Sequence, residues 1–150
     1  MATPPPGPAQ LAAWLRGRWT VQRTINGEAG HFAGTAEFTP AGDAPNVTRW
    51  VEHGDLTLGA YTGPARRALT LHADADGLEV RFDDGRPFHD LDLRDGHWEP
   101  THLCGPDTYR GTFDLSGEDH FSVTWRVSGP GRDDTIVSDY RRAQAPARAA

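Results

Sequence analysis

Leu78-Glu79-Val80-Arg81-Phe82-Asp83-Asp84-Gly85-Arg86-Pro87-Phe88-His89-Asp90-Leu91-Asp92-Leu93-Arg94-Asp95-Gly96-His97-Trp98-Glu99-Pro100-Thr101-His102 alternates apolar and polar residues around two Asp-Gly pairs. One face of a strand recurs every second residue, and Asp-Gly tolerates the positive φ that a tight hairpin turn requires. A two-residue turn at Asp84-Gly85 pairs Phe82 with Pro87, Val80 with His89 and Leu78 with Leu91. A second at Asp95-Gly96 pairs Leu93 with Trp98, Leu91 with Pro100 and His89 with His102. Both registers agree on one inward face: Leu78, Val80, Phe82, His89, Leu91, Leu93, Trp98, Pro100, His102 and Cys104. The other face carries Glu79, Arg81, Asp83, Asp90, Asp92, Glu99 and Thr101, with Phe88 and Leu103 as its exceptions.

The parity continues outward. Tyr109, Gly111, Phe113 and Leu115, then Phe121, Val123, Trp125 and Val127, join the apolar face. Alternation and turn signals predict strands at Arg18–Asn26, His31–Thr39, Asn46–His53, Leu56–Thr62, Arg67–Ala73, Leu78–Asp83, Pro87–Arg94, His97–Cys104, Thr108–Leu115, His120–Ser128 and Thr135–Arg142. Two of these, Asn46–His53 and Thr135–Arg142, read in either phase, so Arg49 or Trp50, and Asp139 or Tyr140, points inward. A short helix is expected at Ala9–Leu15, where Leu11, Trp14 and Leu15 share a face and Gly17 ends the pattern. An open sheet of this many strands would expose two edges, and the short connections favour closing roughly eight to ten of them into an antiparallel up-and-down barrel. The expected organisation is one domain over residues 9–142 between flexible tails at 1–8 and 143–150.

Composition narrows the classes of function. The 150 residues carry 15 basic side chains, all arginine, against 21 acidic ones, a formal charge of −6. No basic excess exists to displace counterions from phosphate, so a nucleic-acid partner is not expected. The single cysteine excludes an internal disulfide and Cys-rich metal sites. Apolar runs stop well short of the roughly 20 residues that span a bilayer, and the first residues lack a secretory pattern, so no membrane partner and a cytoplasmic location are expected. No nucleophile elbow, zinc-protease helix, phosphate loop or dinucleotide fingerprint is present.

The candidate site is a polar island on the inward face. His89, His102, Cys104 and Tyr109 face an interior otherwise made of Leu, Val, Phe and Trp. On the first strand Trp19, Val21 and Ile25 alternate with polar residues, which turns Arg23 inward too; a buried guanidinium needs a carboxylate, a ligand anion or water beside it. Two opposed imidazoles in an apolar hollow cannot both be charged, so one stays neutral and is fit for general base work beside the Tyr109 phenol. Catalytic candidates are thus His89, His102 and Tyr109. Ligand-binding candidates are Arg23, Trp19, Phe82, Leu91, Cys104, Phe113 and Trp125. Core histidines bonded to their neighbours are the plainer reading. A metal on His89, His102 and Cys104, or haem on one histidine, are further alternatives, while no cofactor is the expectation.

Two resemblances bear on this. Gly17-Arg18-Trp19, after a helical turn and at the start of the first long strand, resembles the G-x-W opening of calycins, the lipocalin and fatty-acid-binding superfamily. That resemblance implies a calycin-like barrel in which Trp19 plugs the base and an Arg of the last strand, Arg141 or Arg142, packs across it. The runs Phe82–His89, His102–Gly111, Gly17–Arg23 and Trp125–Pro130 are also similar to an uncharacterised, mostly bacterial family of short proteins, a domain of unknown function, which implies no activity. Where that family suggests Lys-Asp-Tyr after Gly129-Pro130, this chain has Gly131-Arg132-Asp133-Asp134. The expectation is a barrel that binds a small, largely apolar molecule. A cofactor-independent acid–base enzyme in the same cavity is the alternative, and a solid barrel that binds a protein partner on its surface is the third reading.

Overall fold

The computed structural model describes residues 7–143, over which the chain forms one short α-helix, a single 3-10 turn at Gly27–Ala29 and eleven strands. The helix α1 (Pro8–Leu15) begins on a proline, whose missing N–H costs nothing in the first turn. The strands are β1 (Gly17–Ile25), β2 (Gly30–Pro40), β3 (Val47–Leu58), β4 (Tyr61–Ala73), β5 (Leu78–Phe82), β6 (Pro87–Leu91), β7 (His97–Trp98), β8 (Thr101–Cys104), β9 (Asp107–Leu115), β10 (His120–Gly129) and β11 (Arg132–Arg142). The tails expected at 1–8 and 143–150 lie outside the described residues apart from Gly7 and Pro8, which start the helix, and Ala143, whose N–H donates to the Arg18 carbonyl at 2.9 Å.

All the strands are antiparallel neighbours in the order β6-β5-β4-β3-β2-β1-β11-β10-β9-β7, with β8 also on β9. The first long strand pairs with the last, Trp19 opposite Arg142 and Ile25 opposite Ile136, and this contact wraps the meander into a nearly closed barrel. One seam remains, between β6 and β7–β8, where no ladder forms among the described residues. The Trp98 indole N–H bridges it by donating to the Asp90 carbonyl at 3.0 Å.

The base is closed by the helix and an aromatic stack. Trp19 is fully buried, and its indole N–H donates to the Leu15 carbonyl at 2.8 Å. Its ring meets Trp14 at 5.3 Å and Phe121 at 4.9 Å between centroids. The Arg142 guanidinium lies 4.2 Å from the centre of the Trp19 ring and donates to the Trp14 carbonyl at 2.9 Å. Of the two arginines that the calycin resemblance offered for this place, Arg142 fills it.

Three features of the predicted register need correction. The separate strands expected at 46–53, 56–62 and 67–73 are the two long arms of one hairpin, β3 and β4, turning at Gly59-Ala60. Pro64 does not break β4, because it sits on an edge stretch: β4 meets β5 only from Leu69 onward. At Asp84-Gly85 the pairs Val80 with His89 and Leu78 with Leu91 are as predicted, but the loop has three residues, with Gly85 at φ 91° and Phe82 bonded to Arg86. A bulge at Phe88 absorbs the extra residue, so Arg81, not Phe82, faces Pro87. At Asp95-Gly96 the chain turns, but β6 has already ended at Leu91 and β7 pairs with β9. Asp92 holds the Arg94 N–H and guanidinium in a local turn, and Pro100, which has no N–H, divides the expected strand 97–104 into β7 and β8. That division offsets the merger in β3 and β4, which leaves eleven strands.

Candidate functional site: a cavity inside the barrel

The barrel is not solid. A cavity of about 230 Å³ lies between the Trp50–Tyr140 layer and the end opposite the helix. Its apolar wall is Ile25, Trp50, Leu69, Phe88, Phe113, Val123, Trp125 and Ile136. Phe88 enters this wall because of the bulge in β6: an extra residue re-aims a strand side chain. Its ring stacks on Trp125 at 5.1 Å and on Phe82 at 4.6 Å.

The polar side of the cavity is built around a buried carboxylate. Glu52, on β3, is 1% exposed, and its Oε1 accepts from Arg23 Nη2 at 2.7 Å and pairs with Arg67 Nη2 at 3.1 Å. Its Oε2 accepts from the Trp50 indole at 2.9 Å and from the Tyr140 hydroxyl. Arg23 also donates to Ser138 Oγ at 2.7 Å and to the Tyr140 oxygen at 3.0 Å. Burial works to raise the Glu52 carboxyl, but Arg67 and Arg23 and the Tyr140 hydrogen bond outweigh it and bring the group down to about 2. Burial, reinforced by Glu52, pushes the Tyr140 phenol above its ordinary value, so it stays a neutral donor.

His89 projects from β6 and is 7% exposed. Burial brings its imidazole down to about 4 against the opposing pull of the Asp90 carbonyl, with His102 and Arg67 adding to the fall. The ring is therefore neutral at pH 7. Since a carbonyl oxygen only accepts, Nδ1 carries the proton and donates to Asp90 at 2.6 Å, which leaves Nε2 as a lone-pair acceptor. Tyr109 shares the cavity wall, and its hydroxyl accepts from Arg132 Nη1 at 2.7 Å. Arg132, at the turn where the chain departs from the pattern expected of it, is itself held by Asp134 at 2.9 Å. The Tyr109 proton is thus free to be donated.

Of the predicted site residues, Arg23, His89, Tyr109, Phe113 and Trp125 meet at this cavity. The others do not line it. Trp19 belongs to the basal plug, and Leu91 faces a separate crevice of about 170 Å³ beside the helix. Phe82 stacks behind Phe88. His102 is not opposite His89 on a ladder: β8 pairs with β9, which places His102 beside Tyr109 and edge-on to Phe88 at 5.1 Å, at the seam. Cys104, expected inward, is exposed at the β8–β9 turn, because β8 is an edge strand past the point where the barrel closes. The trio His89, His102 and Cys104 is therefore not assembled, and no group of three metal-binding side chains exists among the described residues. Alternation offered Trp50 and Tyr140 as one of two phases each, and did not reveal Glu52, Arg67, Ser138 or the inward Phe88. The one available signal was Arg23, whose inward charge demanded a carboxylate.

The fold is similar to that of the S-type phycobiliprotein lyase CPES from Guillardia theta, with a TM-score of 0.68 at 11% identity over 91% of this chain and 92% of that one. A redesigned β-barrel, mFAP1, solved bound to DFHBI, aligns with a TM-score of 0.49 at 15% identity over 87% of this chain and 97% of the other. No curated protein matches the chain in sequence. A sequence profile for a family described as of unknown function, DUF6314, matches residues 15–142, and the chain belongs to that family.

Proposed function

We propose that the barrel binds a compact, largely apolar small molecule in its cavity, with Arg23, His89 and Tyr109 orienting the polar end. The observation that carries this reading is a partly open, aromatic-walled space inside the barrel into which a few polar groups converge. At about 230 Å³ it is smaller than the roughly 300–1,000 Å³ of sites for drug-sized ligands, which favours a molecule of one or two rings. A cavity at the centre also counts against a barrel filled by its own side chains. Native mass spectrometry of protein purified from its own host tests the proposal. The wild type is expected to carry a small-molecule adduct that Val123→Trp, which fills the cavity, does not carry. The same adduct on both proteins would place binding elsewhere and refute the proposal.

A second reading, cofactor-independent acid–base catalysis in the same cavity, is favoured by one observation. His89 offers a neutral Nε2 and Tyr109 an uncommitted proton, the complementary pair that proton transfer needs. That a phycobiliprotein lyase shares the fold adds only that such a barrel can serve an enzyme. The two readings part at His89→Gln: turnover falling by about 10² with binding retained supports an enzyme, whereas turnover that His89→Gln leaves unchanged excludes His89 as its base.

A further inference from the structure

The charge at the cavity does not balance. Glu52 brings one negative charge and faces two guanidinium groups, Arg23 and Arg67. Arg132, behind Tyr109, is matched by Asp134, and His89 is neutral. Glu52, behind the cavity wall, is the cluster's only carboxylate, and no acidic side chain lines the cavity among the described residues. One positive charge is left over, in a place walled by tryptophan and phenylalanine.

Hydrogen bonding points the same way. Three hydrogen bonds, from Arg23, Trp50 and Tyr140, and the ion pair with Arg67 already engage both Glu52 oxygens within the protein. Arg23 spends its Nε and Nη2 on Ser138, Glu52 and Tyr140, while Nη1 makes no bond to the protein among the described residues. Among the described residues no fully buried side-chain nitrogen or oxygen lacks a partner, so that nitrogen is not sealed from solvent. One arginine, Arg23, already balances the Glu52 charge. A second one, lining the cavity and 40% exposed, adds charge that the protein does not neutralise.

Granted that the cavity binds a ligand, as proposed above, we infer that the ligand is a compact ring acid whose carboxylate docks on the free guanidinium nitrogens of Arg23 and Arg67. Planar guanidinium groups favour carboxylates over neutral acceptors because the bonds are charge-assisted. The ring lies against the apolar wall that Phe88, Phe113 and Trp125 help to form, and the Tyr109 proton supplies a further donor.

Isothermal titration calorimetry with two isosteric probes, 2-naphthoate and 2-naphthamide, tests the inference. The wild type is expected to bind the acid at least tenfold more tightly than the amide. Arg67→Gln, which keeps the Arg23–Glu52 pair, is expected to abolish that preference, and Arg67→Lys to keep most of it. Equal affinities in the wild type, or a preference that survives Arg67→Gln, would overturn the acid inference and leave the cavity standing as a binding site. Failure of both probes to bind at millimolar concentration would contradict the cavity reading itself.

Discussion

Glu52 and Arg23 show how one buried residue calls for another. A guanidinium with a side chain 12% exposed and a carboxylate 1% exposed are tolerable only together, because each alone would be an uncompensated charge in a poor solvent. Glu52→Gln preserves shape and removes the charge, and it is expected to cost about 3–5 kcal/mol in urea unfolding. The double variant Arg23→Met, Glu52→Leu is expected to lose less than Glu52→Gln alone, since the one cation it leaves unpaired, Arg67, is 40% exposed and reaches solvent. His89 carries the opposite lesson, a group kept neutral. Its folded value near 4 lies below its ordinary 6.5, so stability is complete above pH 6.5 and is lost as the pH falls toward 4, when the unfolded chain takes up a proton that the folded one refuses. Between pH 7 and pH 5 the wild type should lose about 2 kcal/mol more than His89→Asn, and equal losses would mean that His89 titrates normally. Arg23 and His89 were legible as inward-facing from alternation alone. Glu52 was not, because β3 reads Thr48, Trp50, Glu52 in one phase and Arg49, Val51, His53 in the other, and a carboxylate normally marks the wet face.

At the scale of elements the seam decides most. β6 ends at Leu91, β7 is two residues long, and β8 hangs on β9 alone, so this sector holds the barrel's two unpaired edges. Leu103, on β8, is 71% exposed. Amide hydrogen exchange is expected to be fastest in β6, β7 and β8 and slowest in β1, β2, β10 and β11, each of which is paired on both sides. Uniform protection around the barrel would show that the seam is closed in solution. The alternation in residues 78–115 was enough to predict an antiparallel barrel and the pairing of Val80 with His89. It could not locate the bulge or the seam. A bulge costs one residue and leaves the pattern intact on either side, and an Asp-Gly turn looks the same whether or not its arms go on to pair. Phe88, read as an outward exception, is inward for that reason, and His102 is at the rim for the other.

For the whole molecule the barrel has a shut end and a hollow one. Helix α1, with Trp14, and Trp19, Phe121 and Arg142 close the base, a plug whose Gly17-Arg18-Trp19 portion is legible in the sequence. Above it, Phe121 stacks on Tyr140 at 4.4 Å, and the Tyr140 hydroxyl belongs to the Glu52 cluster, so the plug supports the cavity's polar floor directly. Trp19→Ala, by opening the base, is expected to cost about 3–5 kcal/mol. The central claim is that the interior between this floor and the far end receives a ligand. Amide and indole chemical-shift mapping by NMR, during titration with a panel of compact aromatic acids, tests it most directly. The account predicts shifts concentrated at Arg23, Trp50, His89, Tyr109 and Trp125. Shifts confined to outer positions such as His53 and Arg66, or none at all, would contradict it.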